Sequence, residues 1–355
     1  SKSCTLQASA AHVLGFVAWH QGSSDMAAAG LKQKGLGIIN EGFHEGDAQG
    51  NSLNDIAVKE FHESLQKSAD CAVAVAAIKA LTTVIRLSPA QTMMGIGKDL
   101  EDAAQALQRV NPTAISLKAG CELFLRYTTR TSELELADID RAKARLIERG
   151  NHFADTSTRA RQTIAELGAR FIRPGATVLT HGYSRVVLAL LNRAVTQGNH
   201  FNVVVTEGRP DATGLKMAKA LDELGIPVTL VLDSGVAYAL ERVDMVLMGA
   251  EAVVENGGVI NKLGSYQIAI CAKALNKPLY VAAESYKFAR LYPLGQKDLP
   301  EERKPSDLGP LLPQRVTLDN PSRDYTPPQY IGLLVTDLGV LTPAAVSDEL
   351  IQLYV

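Results

Sequence analysis

The spacing of hydrophobic and polar positions changes once along the chain, and this change separates two kinds of segment. In the first segment apolar side chains recur at steps of three and four residues, as Ala57, Phe61 and Leu65 do. Such spacing is typical of amphipathic helices. It predicts an all-helical domain over residues 55–172, arranged as a bundle or as an array of hairpins.

Proline-containing breaks divide this segment into separate helices. Leu87-Ser88-Pro89 and Asn111-Pro112 interrupt the helical pattern, because proline removes a backbone donor and clashes with the preceding turn. The pattern predicts one helix from residue 55 onward, followed by helices over residues 72–85, 92–110, 115–127, 133–149 and 153–171.

After Arg173-Pro174-Gly175 the pattern becomes one of short, valine-rich apolar runs. They occupy residues 176–179, 201–205, 227–232, 245–248, 278–282 and 330–335, and helix-length segments separate the first five. Buried strands that alternate with helices indicate a parallel sheet covered on both sides. We therefore predict an α/β protein whose N-terminal helical domain is followed by a Rossmann-like, doubly wound, mostly parallel sheet domain over residues 173–355. Residues 291–326 form a long connecting segment before the last predicted strand.

Residues 1–54 show no sustained period and are rich in glycine, serine, alanine and asparagine. A segment of this kind buries too little apolar surface to hold one fold. We expect an irregular or disordered extension.

Composition excludes several classes of protein. With 36 basic and 38 acidic residues the net charge is -2, so we expect no direct nucleic-acid partner. The four cysteines, Cys4, Cys71, Cys121 and Cys271, form no CxxC pair, and we expect neither a metal site nor a disulfide framework. The scattered cysteines fit a reducing, cytoplasmic location. The apolar stretch near the start is short and interrupted, so we expect no membrane span and no signal peptide.

The most informative segment is residues 249–265. It follows a buried apolar run, and Asn256-Gly257-Gly258 predicts a tight turn, because asparagine and glycine tolerate positive φ. Asn261, Lys262 and Ser265 then precede a helical pattern. Free backbone N–H groups and a lysine at a helix start favour anion binding. A plain strand-turn-helix connection explains the segment equally well.

Polar residues follow each buried run at its carboxyl end. In a parallel sheet these ends share one edge, so we expect the residues to meet near the reversal of strand order. Arginine and lysine there suit a phosphate, and carboxylates suit hydroxyl groups. The candidate ligand-binding residues, for a sugar phosphate or similar anion, are His181, Tyr183, Ser184, Arg185, Glu207, Arg209, Asp233, Glu251, Asn261 and Lys262.

Structural roles compete with this interpretation at several positions. His181 could be a satisfied histidine that caps the next helix, and Asp233-Ser234 could likewise be an N-cap. Arg209, before a proline, could be a solvated loop residue. Gly95-Ile96-Gly97-Lys98 only partly matches a phosphate loop. No complete nucleotide fingerprint occurs, so we expect no cofactor.

Several stretches resemble the alpha subunits of eukaryotic translation initiation factor 2B. The resemblance covers about residue 55 to the end. It lies in Cys121–Arg126, Leu179–Val187, Lys216–Leu221, Val253–Gly264, Ala283–Phe288 and Thr336–Pro343.

The resemblance implies a regulatory subunit without catalytic activity, in a complex that is the guanine nucleotide exchange factor for initiation factor 2. Such a subunit forms a homodimer, joins the beta, gamma, delta and epsilon subunits, and helps sense the phosphorylated alpha subunit of initiation factor 2. The helical domain would contribute to the phosphoprotein surface and the C-terminal domain would supply the homodimer.

The same superfamily includes isomerases of methylthioribose 1-phosphate and ribose 1,5-bisphosphate. By that similarity their catalytic cysteine falls at Gly182 and their catalytic aspartate at Glu251, whereas Asn261-Lys262 matches. Glycine has no side chain that could transfer a proton. We therefore expect a sugar-phosphate pocket without turnover. An active aldose-ketose isomerase is the main alternative, and an exchange enzyme that binds nucleotide itself is a weaker one.

Overall fold

The structure, a computed structural model, describes residues 52–67, 71–112, 114–132, 138–299 and 312–354. Residues 51–355 form one compact unit. The predicted extension lies outside the described residues up to residue 51, and its character stays a prediction. The boundary predicted between a helical and a sheet domain also stays a prediction.

Five α-helices precede the first strand in the described residues, one fewer than the six that the apolar spacing predicts. They are α1 (Leu53–Lys67), α2 (Val73–Leu87), α3 (Met93–Val110), α4 (Ile115–Ser132) and α5 (Ile139–Gly168). The Thr92 hydroxyl caps α3 by accepting from Gly95 N at 3.1 Å, which satisfies one of the free donors of the first turn. Phe61, Ile78 and Phe124 lie in the core that these helices share.

Helix α5 differs from the prediction, which placed two helices over residues 133–149 and 153–171. It is one helix of 30 residues, and the residues between the two predicted helices, Gly150-Asn151-His152, are helical. Gly150 allows α2 to approach α5 closely, since a Cβ at this position would collide with Thr82 Oγ1. Packing between helices therefore outweighs the low helix propensity of glycine.

In the part of the chain that the structure describes, eleven strands form two sheets. In chain order they are β1 (Thr177–His181), β2 (Asn202–Thr206), β3 (Val228–Val231), β4 (Met245–Gly249), β5 (Ala252–Val254), β6 (Val259–Lys262), β7 (Leu279–Ala282), β8 (Phe288–Ala289), β9 (Arg323–Thr326), β10 (Leu333–Thr336) and β11 (Gly339–Leu341). The larger sheet has the order β11-β10-β7-β4-β1-β2-β3. All its pairs are parallel except β10 with β11. The six predicted strands and the α/β class are confirmed.

Helices cover both faces of this sheet. They are α6 (Arg185–Thr196), α7 (Thr213–Asp222), α8 (Val236–Leu240), α9 (Ser265–Ala274) and α10 (Val346–Tyr354). Val178 of β1 packs with residues of α5, α6 and α7. Leu179, the next residue, packs with α8, α9 and α10 on the other side. Successive side chains of a strand point to opposite faces, so the sheet is doubly wound.

The smaller sheet was not predicted. Its order is β8-β5-β6-β9, and β5 and β6 form an antiparallel hairpin within residues 249–265. The turn between them is the predicted one, with Gly257 at φ +79°. Ile115 of α4 packs against this sheet. The described helices are all too short or too polar to cross a bilayer.

Candidate functional site

Strand order reverses beside β1, which lies between β4 and β2. His181 ends β1, and Glu251 follows β4 after Gly249 and Ala250. Ligands of open α/β sheets bind outside the carboxyl ends of strands at such a reversal. The topology therefore brings several of the predicted residues to the place where the sequence puts a ligand site.

His181 is buried, with an exposed fraction of 3%, and both ring nitrogens have partners. Nε2 lies 2.9 Å from the Leu263 carbonyl oxygen and Nδ1 lies 2.6 Å from Thr206 Oγ1. A carbonyl oxygen only accepts, so Nε2 carries the proton and Nδ1 accepts from the Thr206 hydroxyl. Burial lowers the pKa of His181, which keeps the ring neutral. The side chain ties the loop after β6 to the sheet and does not cap a helix.

Lys262 is paired within the protein. Its ammonium donates to Asp211 Oδ2 at 2.7 Å, and each side chain is 25% exposed. The cation that the sequence assigns to a phosphate is thus already neutralised by a carboxylate. A ligand phosphate would have to exchange with Asp211 or share the ammonium with it.

Glu251 is also paired. Its Oε2 accepts from Arg323 Nε at 2.8 Å, and the arginine side chain is 9% exposed against 34% for the glutamate. The backbone N–H of Glu251 donates to the Ile260 carbonyl, which fixes the start of the hairpin. The carboxylate is therefore held by the protein and faces a largely buried guanidinium.

The loop after β2 is organised by Asp233. The two Asp233 carboxylate oxygens accept from the backbone N–H groups of Gly208, at 3.0 Å, and Arg209, at 2.7 Å. Arg209 Nε in turn donates to Glu207 Oε2 at 3.3 Å. Asp233 thus shapes the loop instead of serving as a helix cap, and Arg209 is an exposed residue with its own carboxylate partner.

A carboxylate of the protein itself occupies the anion-binding position that was predicted at the start of α9. Asp324 Oδ2 accepts from the backbone N–H groups of Gly264 at 2.8 Å and Tyr266 at 3.0 Å. These two donors were expected to be free, and that expectation is wrong, because β9 pairs with β6 and brings Asp324 opposite them. Burial raises the pKa of Asp324 to about 7, although the two hydrogen bonds act in the opposite direction.

Asn261 helps hold the same loop. It is buried and donates from Nδ2 to Ser265 Oγ at 2.9 Å, and the Ser265 hydroxyl donates to the Lys262 carbonyl at 2.8 Å. The Asn-Lys-Ser pattern in the sequence therefore builds a compact turn before α9. This turn aims the Lys262 side chain toward Asp211.

Three of the candidate residues, Tyr183, Ser184 and Arg185, make contacts away from the loops that hold Lys262, Glu251 and Asp233. Lys216 lies over the Tyr183 ring, 4.3 Å from its centroid. The Ser184 hydroxyl caps α6 by accepting from Val187 N at 3.4 Å. Arg185 donates from Nη1 to the Cys71 carbonyl at 2.9 Å, in the helical part of the chain. The prediction that all three bind one ligand finds no support in these contacts.

A cleft of about 740 Å³ lies beside the loop after β6. Arg209, Asp233, Arg323 and Asp324 supply charged lining, and apolar wall comes from residues such as Leu263 and Ile270. This volume falls within the range of small-molecule sites. The cleft is therefore large enough for a phosphorylated metabolite next to the candidate residues.

Gly182 has a backbone conformation that side chains rarely adopt, with φ +59°. A Cβ at this position would lie 3.0 Å from Thr213 Oγ1 and 3.2 Å from Lys262 Cδ. Left-handed φ costs a residue with a side chain roughly 1–2 kcal/mol. Position 182 is thus built for glycine, next to the lysine of the candidate site.

Four residues of this site were missed by the sequence reasoning: Thr206, Asp211, Arg323 and Asp324. Asp211 follows Arg209-Pro210 in a loop already singled out, so its carboxylate was a usable signal. Arg323 and Asp324 lie at the end of the long excursion, where no local pattern indicates a strand beside β6. Among the described residues, His, Cys, Asp and Glu form no group that could hold a metal ion.

Comparison with known families gives a clear match. The sequence pattern of the Initiation factor 2 subunit family, IF-2B, matches residues 66–343. The chain belongs to this family. Membership confirms the resemblance seen in the sequence.

Within the IF-2B family, the chain is similar to two kinds of protein. It is 46% identical over 311 residues to translation initiation factor eIF2B subunit alpha of Dictyostelium discoideum, covering 84% of this chain and 97% of that protein. It is 33% identical over 301 residues to ribose 1,5-bisphosphate isomerase of Pyrococcus furiosus, covering 83% of this chain and 92% of that protein.

The fold of this IF-2B chain also resembles a solved structure, the tetrameric eIF2B-beta2-delta2 complex from C. thermophilum. The TM-score is 0.67 at 21% identity, covering 86% of this chain and 98% of that one. At this identity the comparison establishes the fold alone.

Proposed function

We propose that this chain is the alpha subunit of a translation initiation factor 2B complex and that it acts as a regulatory subunit without catalytic activity. The observation that carries the proposal is the 46% identity to a subunit alpha over nearly the whole length of that protein. On this account the complex is the guanine nucleotide exchange factor for initiation factor 2, and another subunit carries out the exchange.

The geometry around Gly182 supports a protein without isomerase activity. The related isomerases, by resemblance, need a cysteine where this chain has Gly182, and a side chain there would be strained and crowded. Glu251, at the position of their aspartate, is held by Arg323 at 2.8 Å. A proton transfer needs an ionisable group free to reach the reacting atom, whereas Gly182 has no side chain and the Glu251 carboxylate is held in an ion pair.

The proposed partners are a second copy of this chain, the beta, gamma, delta and epsilon subunits, and the phosphorylated alpha subunit of initiation factor 2, all in the cytoplasm. The likeness in fold to a chain of a beta2-delta2 complex supports assembly with related subunits. We assign the homodimer to the C-terminal sheet region and the phosphoprotein surface to the helices before it.

The crevice at the strand ends is proposed to bind a sugar phosphate. Lys262 and Arg209 would hold the phosphate, while Asp233 and Glu251 would accept from hydroxyl groups. Because Lys262 and Arg209 already have carboxylate partners, the phosphate must displace Asp211 or Glu207 on binding or share the cations with them. We therefore expect weak or moderate affinity in place of the tight binding of a preformed cation pair.

Native mass spectrometry of the purified chain, alone and after co-expression with the other four subunits, tests the assembly. We expect a dimer alone and two copies in the full complex. A monomer that fails to join the complex would contradict the proposal. Calorimetry with hexose and pentose phosphates tests the pocket separately: binding that is absent, or that is unchanged in Lys262→Ala, would exclude it.

An active aldose-ketose isomerase is the second candidate, favoured by the 33% identity to ribose 1,5-bisphosphate isomerase. A turnover assay on ribose 1,5-bisphosphate and methylthioribose 1-phosphate separates the two functions. Turnover that Glu251→Gln abolishes would establish the isomerase. We expect none.

A further inference from the structure

The short connection between β7 and β8 passes beside the strand ends that form the crevice. After β7 the chain makes one turn, Ser285–Lys287, and then enters β8. Asp337 holds this turn, because its two carboxylate oxygens accept from the backbone N–H and the hydroxyl of Ser285, each at 2.7 Å. The last residue of the turn, Lys287, is therefore held in place by the fold.

Pairing in the smaller sheet brings Lys287 to the start of the β5 and β6 hairpin. β8 runs parallel to β5, with Phe288 opposite Val253. Lys287 comes just before Phe288, and Glu251 comes shortly before Val253. The Lys287 side chain is 18% exposed, and its ammonium donates to the Ala250 carbonyl at 2.9 Å. A lysine outside the predicted set of site residues thus contacts the residue before Glu251.

The peptide unit that joins Ala250 to Glu251 is held at both ends. Its carbonyl accepts from Lys287 Nζ, and its N–H donates to the Ile260 carbonyl, each at 2.9 Å. Because a peptide unit is planar, these two bonds fix the unit as a whole, up to the Cα atom of Glu251. Arg323 Nε holds the other end of this residue, its carboxylate, at 2.8 Å. Glu251 is therefore anchored at its backbone and at its charge.

A buried carboxylate fixes the Lys287 ammonium in turn. Glu284, 2% exposed, lies 2.8 Å from Lys287 Nζ and 3.8 Å from Arg161 Nε of α5. Burial acts to raise the pKa of Glu284, but the two cations outweigh burial and hold this pKa below its ordinary value. Salt screens buried ion pairs much less than exposed ones. The ionised Glu284 therefore keeps the ammonium beside the Ala250 carbonyl.

A fixed Glu251 carboxylate affects which ligands the crevice accepts. In the pocket proposed above, Lys262 and Arg209 hold the phosphate and Glu251 accepts from a hydroxyl group. An acceptor that is already in place costs little ordering when the ligand binds. A site that is arranged for a hydroxyl group also rejects a ligand without one, because its polar group is then left unpaired.

We propose that Lys287 is a positioning residue of the crevice: by holding the peptide between Ala250 and Glu251, it directs the Glu251 carboxylate and favours phosphorylated ligands with a hydroxyl group at that place. This inference rests on the sugar-phosphate pocket of the proposed function. Lys287 does not line the cleft beside the loop after β6. It acts on the ligand through Glu251.

Titrations of the full chain with ribose 5-phosphate and with inorganic phosphate test this role. We expect Lys287→Met to weaken the binding of ribose 5-phosphate about tenfold, the scale of one charged hydrogen bond. Inorganic phosphate, which needs only Lys262 and Arg209, should bind as before. Lys273→Met removes an exposed lysine of α9 and is the matched control, which should bind both probes like the unaltered chain. If Lys287→Met does not fold, the double variant with Glu284→Gln replaces it, because it removes the buried carboxylate together with its partner.

Hydrogen exchange of single backbone amides, followed by NMR, measures the positioning without a ligand. Loss of the Lys287 ammonium should speed exchange at Glu251. Exchange should stay unchanged at Val254, whose N–H donates to the Gly258 carbonyl in the same hairpin. A general loosening of the fold would speed exchange at both residues, and that result would overturn the inference.

The outcomes separate the role of Lys287 from the pocket itself. Unchanged affinity for ribose 5-phosphate in Lys287→Met, or an equal loss for both probes, overturns the role of Lys287. If the unaltered chain binds no ribose 5-phosphate, the pocket and the ligand preference are refuted, and exchange at Glu251 still decides whether Lys287 positions this residue. Unchanged exchange at Glu251 overturns the inference in either case.

Discussion

The ammonium of Lys262 lies 2.7 Å from Asp211 Oδ2, although the two residues are 51 positions apart in the chain. Lys262, the lysine that the sequence indicates for phosphate binding, is therefore already paired with a carboxylate of the protein. The same holds for Arg209 with Glu207 and for Arg323 with Glu251. A ligand at this crevice competes with carboxylates of the chain for every one of these cations.

Replacing Asp211 by asparagine should tighten the binding of hexose or pentose phosphates. The substitution releases the Lys262 ammonium, and we expect a gain of about tenfold, the scale of one charged hydrogen bond. Calorimetry measures it. Asp222→Asn, an exposed carboxylate at the end of α7, is the control and should change nothing. Unchanged affinity in Asp211→Asn would show that the pair does not limit binding.

Gly182→Ala should destabilise the fold by about 1–2 kcal/mol, because the residue has φ +59° and its new Cβ would crowd Thr213 and Lys262. Urea denaturation measures the free energy of unfolding. Gly97→Ala is the matched control, since nothing lies near a Cβ there, and alanine in a helix should stabilise by roughly 0.5–1 kcal/mol. Equal effects of both substitutions would contradict the argument.

Asp324 should make stability fall as the pH rises. Its pKa is about 7 in the folded protein against 3.8 as the ordinary value, so the folded state binds the extra proton between these two pH values. By linkage its contribution is fully present below pH 3.8 and is lost as the pH rises toward 7. Asp324→Asn should therefore gain stability relative to the unaltered chain between these limits. Denaturation of both proteins over this pH range tests the prediction. A difference in free energy of unfolding that stays constant with pH would refute it.

His181 should have the opposite dependence. Burial lowers its pKa below the ordinary 6.5, so the stability that its neutral ring contributes is present above 6.5 and is lost as the pH falls through the folded-state pKa. His181→Gln should be less stable by about 1–3 kcal/mol at pH near 8, because it disturbs two buried hydrogen bonds. The difference in free energy of unfolding between His181→Gln and the unaltered chain should narrow in acid. A difference that widens below pH 6 would contradict the neutral, buried state assigned to His181.

The sequence predicted the elements that depend on local pattern. The six valine-rich runs became strands because each is a continuous apolar run between breaks, and the turn at Gly257 formed because glycine there takes positive φ. The hairpin of β5 and β6 was missed. Its strands are short, and besides pairing with each other they pair with β8 and β9, which are distant in the chain.

The location of the candidate site was predictable, and its electrostatics were not. Parallel strand ends necessarily meet, so His181 and Glu251 lie where the pattern placed them. The partners of the charges come from remote segments: Arg323 is 72 positions from Glu251, and Asp324 is 60 from Gly264. No local periodicity encodes such pairs. Arg185 likewise found its partner in Cys71, 114 positions away.

The rate of GDP release from initiation factor 2 tests the central claim most directly. It would be measured with the exchange complex assembled with and without this chain, in the presence of phosphorylated initiation factor 2. We predict that the chain alone releases no GDP and that phosphorylated factor inhibits only the complex containing it. Equal inhibition with and without the chain, or GDP release by the chain alone, would contradict the account of a regulatory subunit.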